Sequence, residues 1–331
     1  MLIAVNYHYI RDHFDAPFPS IFGVTPKKLI SQIDILGSSA KFLSLDDVVD
    51  IIDGRQTIPP KAVVISFDDG FREQFELAWP ILSAKGIPAI FFVNTKPIED
   101  KFVTNTHKIH ILRAYTSPTE LMAALKNMLE NLGLTLKLPS PLKACKVYKY
   151  DSKEDAQLKY FMNYELNDGQ REKVVDGCFD RLGFDEGTIN QELYMTKSMV
   201  AELAKAHALG THGHAHLPLG QIDDDAAKID LDSSIQKIME WTGYRVKALS
   251  YPFGFKEACS EVIADQARSH QVRFAFTMER AGNMIIDAPY FMARFSNNDV
   301  PGGNQCPDCE NFWDSIKHAK WFREQDKTDK L

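Results

Sequence analysis

Short apolar runs rich in β-branched and aromatic residues recur along this chain, separated by amphipathic stretches of helical period. They fall at residues 2–9, 62–67, 89–94, 209–212, 248–251, 273–277 and 291–295. Strands kept apart by helices cannot pair as hairpins. They need crossover connections, which implies a parallel α/β sheet or barrel with helices packed outside it. Candidate helices occupy residues 26–36, 45–52, 73–85, 197–208, 223–241 and 256–269. Ser44 and Thr196 are suitable N-caps, and Gly86 and Gly210 punctuate helix ends. The rhythm breaks once, between about residues 95 and 194, where the sequence is charged, mostly helical and without a clear strand. The expected organisation is therefore an α/β barrel built from residues 1–95 and 195–331, interrupted by a mostly helical insertion at 96–194. Such an insertion either shapes the substrate site at the C-terminal mouth of the barrel or ornaments its outside.

With 331 residues the chain can bury a full core. Its 38 basic and 45 acidic residues give a net charge of −7 with no long run of one sign, which argues against nucleic acid as the main partner. No stretch reaches the roughly 18–20 apolar residues of a membrane span. The opening residues lack a basic region before their short apolar run, so a cytoplasmic location is expected. The five cysteines are odd in number and scattered, unlike a disulfide framework. The single C-x-x-C at Cys306 and Cys309 lacks the further ligands of a closed zinc site and reads as incidental. Oligomeric state is not legible.

Chemistry concentrates in two places. The run Val63-Val64-Ile65-Ser66-Phe67 leads directly into Asp68-Asp69-Gly70. The C-terminal ends of parallel strands point into a barrel's active site, and Gly70 permits the bend that brings two neighbouring carboxylates to one pocket. Taken alone, the same tripeptide is also a good Asx turn. The second place is Gly210-Thr211-His212-Gly213-His214-Ala215-His216, with three histidines in five residues. His212 and His216 stand four apart, so a helical turn or tight loop can aim both imidazoles at one ion. His214 is out of phase with them. Two imidazoles and one carboxylate make three protein ligands and leave a position for water, which is the arrangement of a catalytic metal. The other aspartate is then free to act as a base beside that water. A third element, Ser250-Tyr251-Pro252-Phe253-Gly254, is a strand end followed by a rigid turn whose backbone N–H groups can face a ligand oxygen.

In this order the three elements resemble the polysaccharide deacetylase family, also called the NodB-homology or carbohydrate esterase 4 fold. Its Thr-Phe-Asp-Asp-Gly motif is matched by Ser66 to Gly70. Its His-(Ser/Thr)-x-x-His motif is matched at both histidines by His212 and His216, with Gly213 in place of the hydroxyl residue. The resemblance covers about residues 1–95 and 195–300. It implies a distorted, seven-stranded (β/α) barrel and hydrolysis of an acetyl group from a sugar or polysaccharide. It further implies a divalent metal, usually zinc, on Asp69, His212 and His216, with Asp68 as the general base. The backbone N–H of Phe253 would stabilise the oxyanion. The aromatic rings of Tyr7, Tyr9, Tyr251 and Phe253, near the expected mouth, suit sugar stacking and suit a hydrophobic core equally well, Tyr251 and Phe253 being the candidates for substrate contact.

Two departures stand out. The family's third motif usually begins with an arginine that orients the base, and here that position is Ser250; Arg294, at another strand end, is the candidate replacement. The family's last motif, which supplies a histidine as general acid, has no clear match. His8 at the end of the first strand is a candidate for that role, as is His110 from the insertion, which would also contact substrate. Two alternatives stay open: a hydrolase of non-sugar amides, and a non-catalytic, metal-containing glycan-binding module.

Overall fold

The computed structural model describes residues 1–17, 23–135, 137–148, 151–306 and 311–323. Its centre is a parallel sheet of eight strands: β1 (Leu2–Tyr7), β2 (Lys41–Phe42), β3 (Ala62–Phe67), β4 (Ala89–Val93), β5 (Leu209–Thr211), β6 (Ala248–Ser250), β7 (Phe274–Phe276) and β8 (Phe295–Ser296). The order is β7-β6-β5-β4-β3-β1-β8, with the two-residue β2 pairing beside β3. The sheet curls into a (β/α) barrel with helices around it. The segment entering β8 links its edges: the Met292 N–H donates to Ala275 O at 2.9 Å, and three residues later Val5 pairs with Phe295 on β1. That switch of partner explains why the expected strand at 291–295 shrinks. Only Phe295–Ser296 form a ladder, and Pro289–Phe291 form a 3-10 turn.

Both faces of the sheet are buried, as parallel strands require. Along each strand alternate residues divide between two apolar clusters. Ile3, Val5, Val63, Ile65, Phe67 and Phe91 belong to the cluster under the surrounding helices. Leu2, Ala4, Ala62, Val64, Ile90, Phe92, Ala248, Phe274, Phe276 and Met292 form the other, the barrel interior. A period of two carried one or two steps further along each strand gives the next inward positions. These are Asn6, Ser66, Asp68, Asn94, His212, Ser250 and Arg294, all of them polar and buried. The interior therefore changes from hydrocarbon to hydrogen-bonding groups at the C-terminal ends of the strands.

Three local differences from the sequence reading have simple causes. The helix expected at 73–85 is π-wound over Gln74–Ala78 and α-helical over Trp79–Lys85. Pro80 lacks the N–H needed for an unbroken α ladder. Gly86 does end that helix, in the left-handed conformation (φ 65°). Gly210, by contrast, lies within β5, where close packing against Phe92 selects glycine.

The chain divides into two compact units, Met1–Asp12, Val24–Asp100 and Leu193–Leu331 in one, His13–Gly23 and Lys101–Glu192 in the other. The first holds the barrel. The second is helical and has its own core, in which the buried Lys108 pairs with Asp176 at 2.6 Å and Glu186 at 2.9 Å. Among the described residues, no helix is long and apolar enough to cross a membrane. Cys309 of the C-x-x-C pair lies outside the described residues.

Candidate metal centre

Asp68 continues the inward face of β3, and the chain turns immediately after it. Asp69 and Gly70 both take positive φ (79° and 68°), which swings the second carboxylate back over the barrel mouth. The left-handed region is costly for a non-glycine residue and persists only where its surroundings fix it. Here Gln74 does so in part, donating from Nε2 to Asp68 O at 2.6 Å and to His8 O at 2.8 Å. His216 and Phe253 also have positive φ, 57° and 62°. Three of the six non-glycine residues with this strain among the described residues thus surround one pocket.

His212 ends β5 and is 2% exposed. Its Nδ1 lies 2.7 Å from Ser250 O. A carbonyl only accepts, so Nδ1 carries the proton and Nε2 keeps its lone pair, directed towards Asp69 Oδ1 at 3.6 Å. Burial pushes the His212 pKa down to about 4, so the ring is neutral at ordinary pH. His216 Nε2 is 3.3 Å from the same Asp69 oxygen. The three donor atoms lie within 4.8 Å of one another and are buried. One carboxylate and two imidazoles form a donor set suited to a divalent ion such as zinc. The residues present fit the group.

Beside this triad Asp68 is clamped. Arg294 Nη1 donates to Oδ1 at 2.8 Å and Nη2 to Oδ2 at 2.7 Å, a bidentate fork. Asn6 Nδ2 at 3.0 Å and Ser250 Oγ at 3.1 Å also donate to Oδ2. Arg294 is fully buried, lies over the Phe276 ring and donates to Ser250 Oγ at 2.8 Å. Burial alone would raise the Asp68 pKa. The Arg294 charge outweighs it and holds the carboxyl below the usual range. Asp68 Oδ2 and His212 Nε2 are 3.9 Å apart, so the clamped carboxylate flanks the triad.

The other sequence-derived candidates fall in different places. Phe253 sits at the mouth, its ring edge-on to His216 with centroids 4.8 Å apart. His8 is exposed just past β1, with Nε2 3.4 Å from Asn6 Nδ2. Tyr251 does not present a face to a sugar: it is fully buried, stacked on Phe291, with its hydroxyl 3.4 Å from Ser260 O. Its position alternates with Ser250, which puts it on the outward, helix-covered face of the sheet. His110 lies on the helix Asn105–Tyr115 of the second unit, its ring 6.1 Å from that of His107. Sequence reasoning missed Asn6 and Asp230. Asn6 had a signal, being the lone amide in an otherwise apolar strand. The Asp230 carboxylate accepts from the N–H groups of His214 and Ala215, and Asp230 had no signal among the many charges of its helix.

A family model described as polysaccharide deacetylase matches residues 55–131 and 147–275. No curated protein matches by sequence. Among the solved structures similar to this chain are the following three. A Streptococcus pyogenes deacetylase, PplD, solved in complex with acetate, is 14% identical with a TM-score of 0.58, covering 96% of this chain and 98% of its own. A de-N-acetylase from Aggregatibacter actinomycetemcomitans is 15% identical with a TM-score of 0.56, over 94% and 99%. IcaB from Ammonifex degensii is 16% identical with a TM-score of 0.52, over 95% and 94%.

Proposed function

Because this chain belongs to the polysaccharide deacetylase family, we propose that it removes acetyl groups from an acetylated carbohydrate by metal-assisted hydrolysis. The observation that carries this reading is the juxtaposition of Asp69, His212 and His216 with a separate, arginine-clamped Asp68. Asp69, His212 and His216 would hold the divalent ion, zinc being the metal this donor set suits. A bound ion supplies Lewis acidity towards the acetyl carbonyl and makes a nearby water easier to deprotonate.

The chain's own groups supply the rest. Asp68 accepts the proton of the attacking water, and its ionisation is secured by Arg294. Arg294, Asn6 and Ser250 fix the direction of its oxygens. Among the described residues the backbone N–H of Phe253 has no hydrogen-bond partner, and it is the donor offered to the developing oxyanion. His8, exposed at the mouth, is the group we assign to protonate the leaving amine or alcohol. The Arg294 fork supports turnover over a purely binding role, since a bound glycan requires no base held in this way.

The test is acetate release from N- and O-acetylated oligosaccharides, with small acetylated amides assayed in parallel. Release should stop on chelation and return with zinc. Asp68→Asn should lower turnover by about two to four orders of magnitude, the usual worth of a general base, while metal content stays unchanged. Undiminished release after complete metal removal would discard the mechanism. Faster cleavage of the small amides than of any sugar would discard the substrate class.

A further inference from the structure

The loop that carries two of the three ligands holds its shape through groups outside itself. The His212 N–H donates to Val93 O at 2.9 Å, and its carbonyl accepts from Asn94 Nδ2. The Gly213 N–H reaches Thr211 Oγ1 at 3.2 Å, and the carbonyls of Gly213 and His214 accept from the N–H groups of Thr95 and Lys96 at 3.4 and 2.9 Å. That leaves the N–H groups of His214 and Ala215, which lie directly before His216. Both end on Asp230: His214 N–H donates to Oδ1 and Ala215 N–H to Oδ2, each at 2.8 Å. Asp230 is 5% exposed, on the helix Asp224–Thr242.

A second observation at the same contact bears on the departure from the family motif. Gly213 has φ 74°, and a Cβ built on it would stand 2.6 Å from Asp230 Oδ1. A hydroxyl residue at position 213, as the motif usually has, would be strained by this φ and would press on the Asp230 carboxylate.

We propose that Asp230 is a positioning residue for the metal centre. Its two oxygens grip consecutive backbone N–H groups and hold the turn that places His216, at φ 57°, opposite Asp69. Outer groups that orient a ligand typically contribute 10- to 100-fold in metal affinity. The inference rests on the metal-centre reading above, and the test separates the two.

Zinc affinity is measured by competition with a chromophoric chelator for the unaltered protein, Asp69→Ala, Asp230→Asn and Gly213→Ala. The visible spectrum of each cobalt-loaded protein and the melting temperature of each metal-free protein are recorded alongside. Asp230→Asn should weaken zinc binding by about 10- to 100-fold and alter the cobalt spectrum, an effect that a change in overall stability would not produce. Gly213→Ala presses on the same contact from the other side and should act in the same direction, which keeps the idea testable if Asp230→Asn fails to fold. Zinc affinity in both variants within about twofold of the unaltered protein would overturn the role of Asp230 and leave the metal centre standing. Equal zinc binding by the unaltered protein and Asp69→Ala would overturn both.

Discussion

Arg294 shows how a side chain remote in sequence can reach the carboxylate beside which the family motif usually places another arginine. The family's usual arginine position is Ser250, whose small hydroxyl donates to Asp68 and accepts from Arg294. The guanidinium arrives from the segment before β8 and reaches the same carboxylate. Removing one partner of a buried pair leaves the other charge uncompensated, at a cost of about 3–5 kcal/mol. Arg294→Met should therefore lower the unfolding free energy by about that amount, as read by denaturant titration. It should also change the pH profile in a defined direction. The folded Asp68 carboxyl is held low, so the proposed base is ionised at every pH above that depressed value. Without the guanidinium its pKa rises, and the acid limb of kcat/KM moves to higher pH. An unmoved acid limb in a folded variant would show that Arg294 does not secure the base.

At the level of elements, the site follows from the strand period. The inward positions of β1, β3, β5 and β6 are apolar or small low in the barrel and become Asn6, Asp68, His212 and Ser250 at its mouth. This rule was legible in part. The apolar run into Asp68-Asp69 and the spaced histidines identified two strand ends, because their chemistry is concentrated locally. The Arg294–Asp68 fork was open only as a candidate, since a salt bridge between residues 226 apart depends on barrel closure. Tyr251 was misassigned because an aromatic next to a functional strand end looks the same whether it faces inward or outward. Gly210 was misread as a helix end for a related reason: its need is steric. A Cβ there would meet the Phe92 ring at 2.4 Å and Ala248 O at 3.0 Å. Gly210→Ala should force β4 and β5 apart, cost about 1–3 kcal/mol by overpacking, and displace His212 two residues on. Calorimetry and zinc affinity together test this; an alanine variant with unaltered melting and metal binding would refute it.

For the molecule as a whole, the three proposed ligands come from the loops after β3 and β5, so an ion bound there would tie two crossover units of the barrel together. A ligand that binds only the folded state stabilises it, by about 2.7 kcal/mol at a free concentration 100 times its Kd. Zinc should accordingly raise the melting temperature by several degrees, chelator should reverse the rise, and Asp69→Ala should show neither effect. The helical unit at Lys101–Glu192 pairs its buried Lys108 with the half-buried Asp176, and the sequence revealed its helical character because no β-branched run interrupts it. What the account depends on is one ion on three side chains beside an uncoordinated fourth. Anomalous diffraction at the zinc edge from zinc-loaded crystals measures that directly. A single strong peak should lie about 2.0–2.2 Å from an Asp69 oxygen and from Nε2 of both His212 and His216, with the Asp68 carboxylate still on Arg294. A peak elsewhere, or one coordinated by Asp68 in place of Asp69, would contradict it.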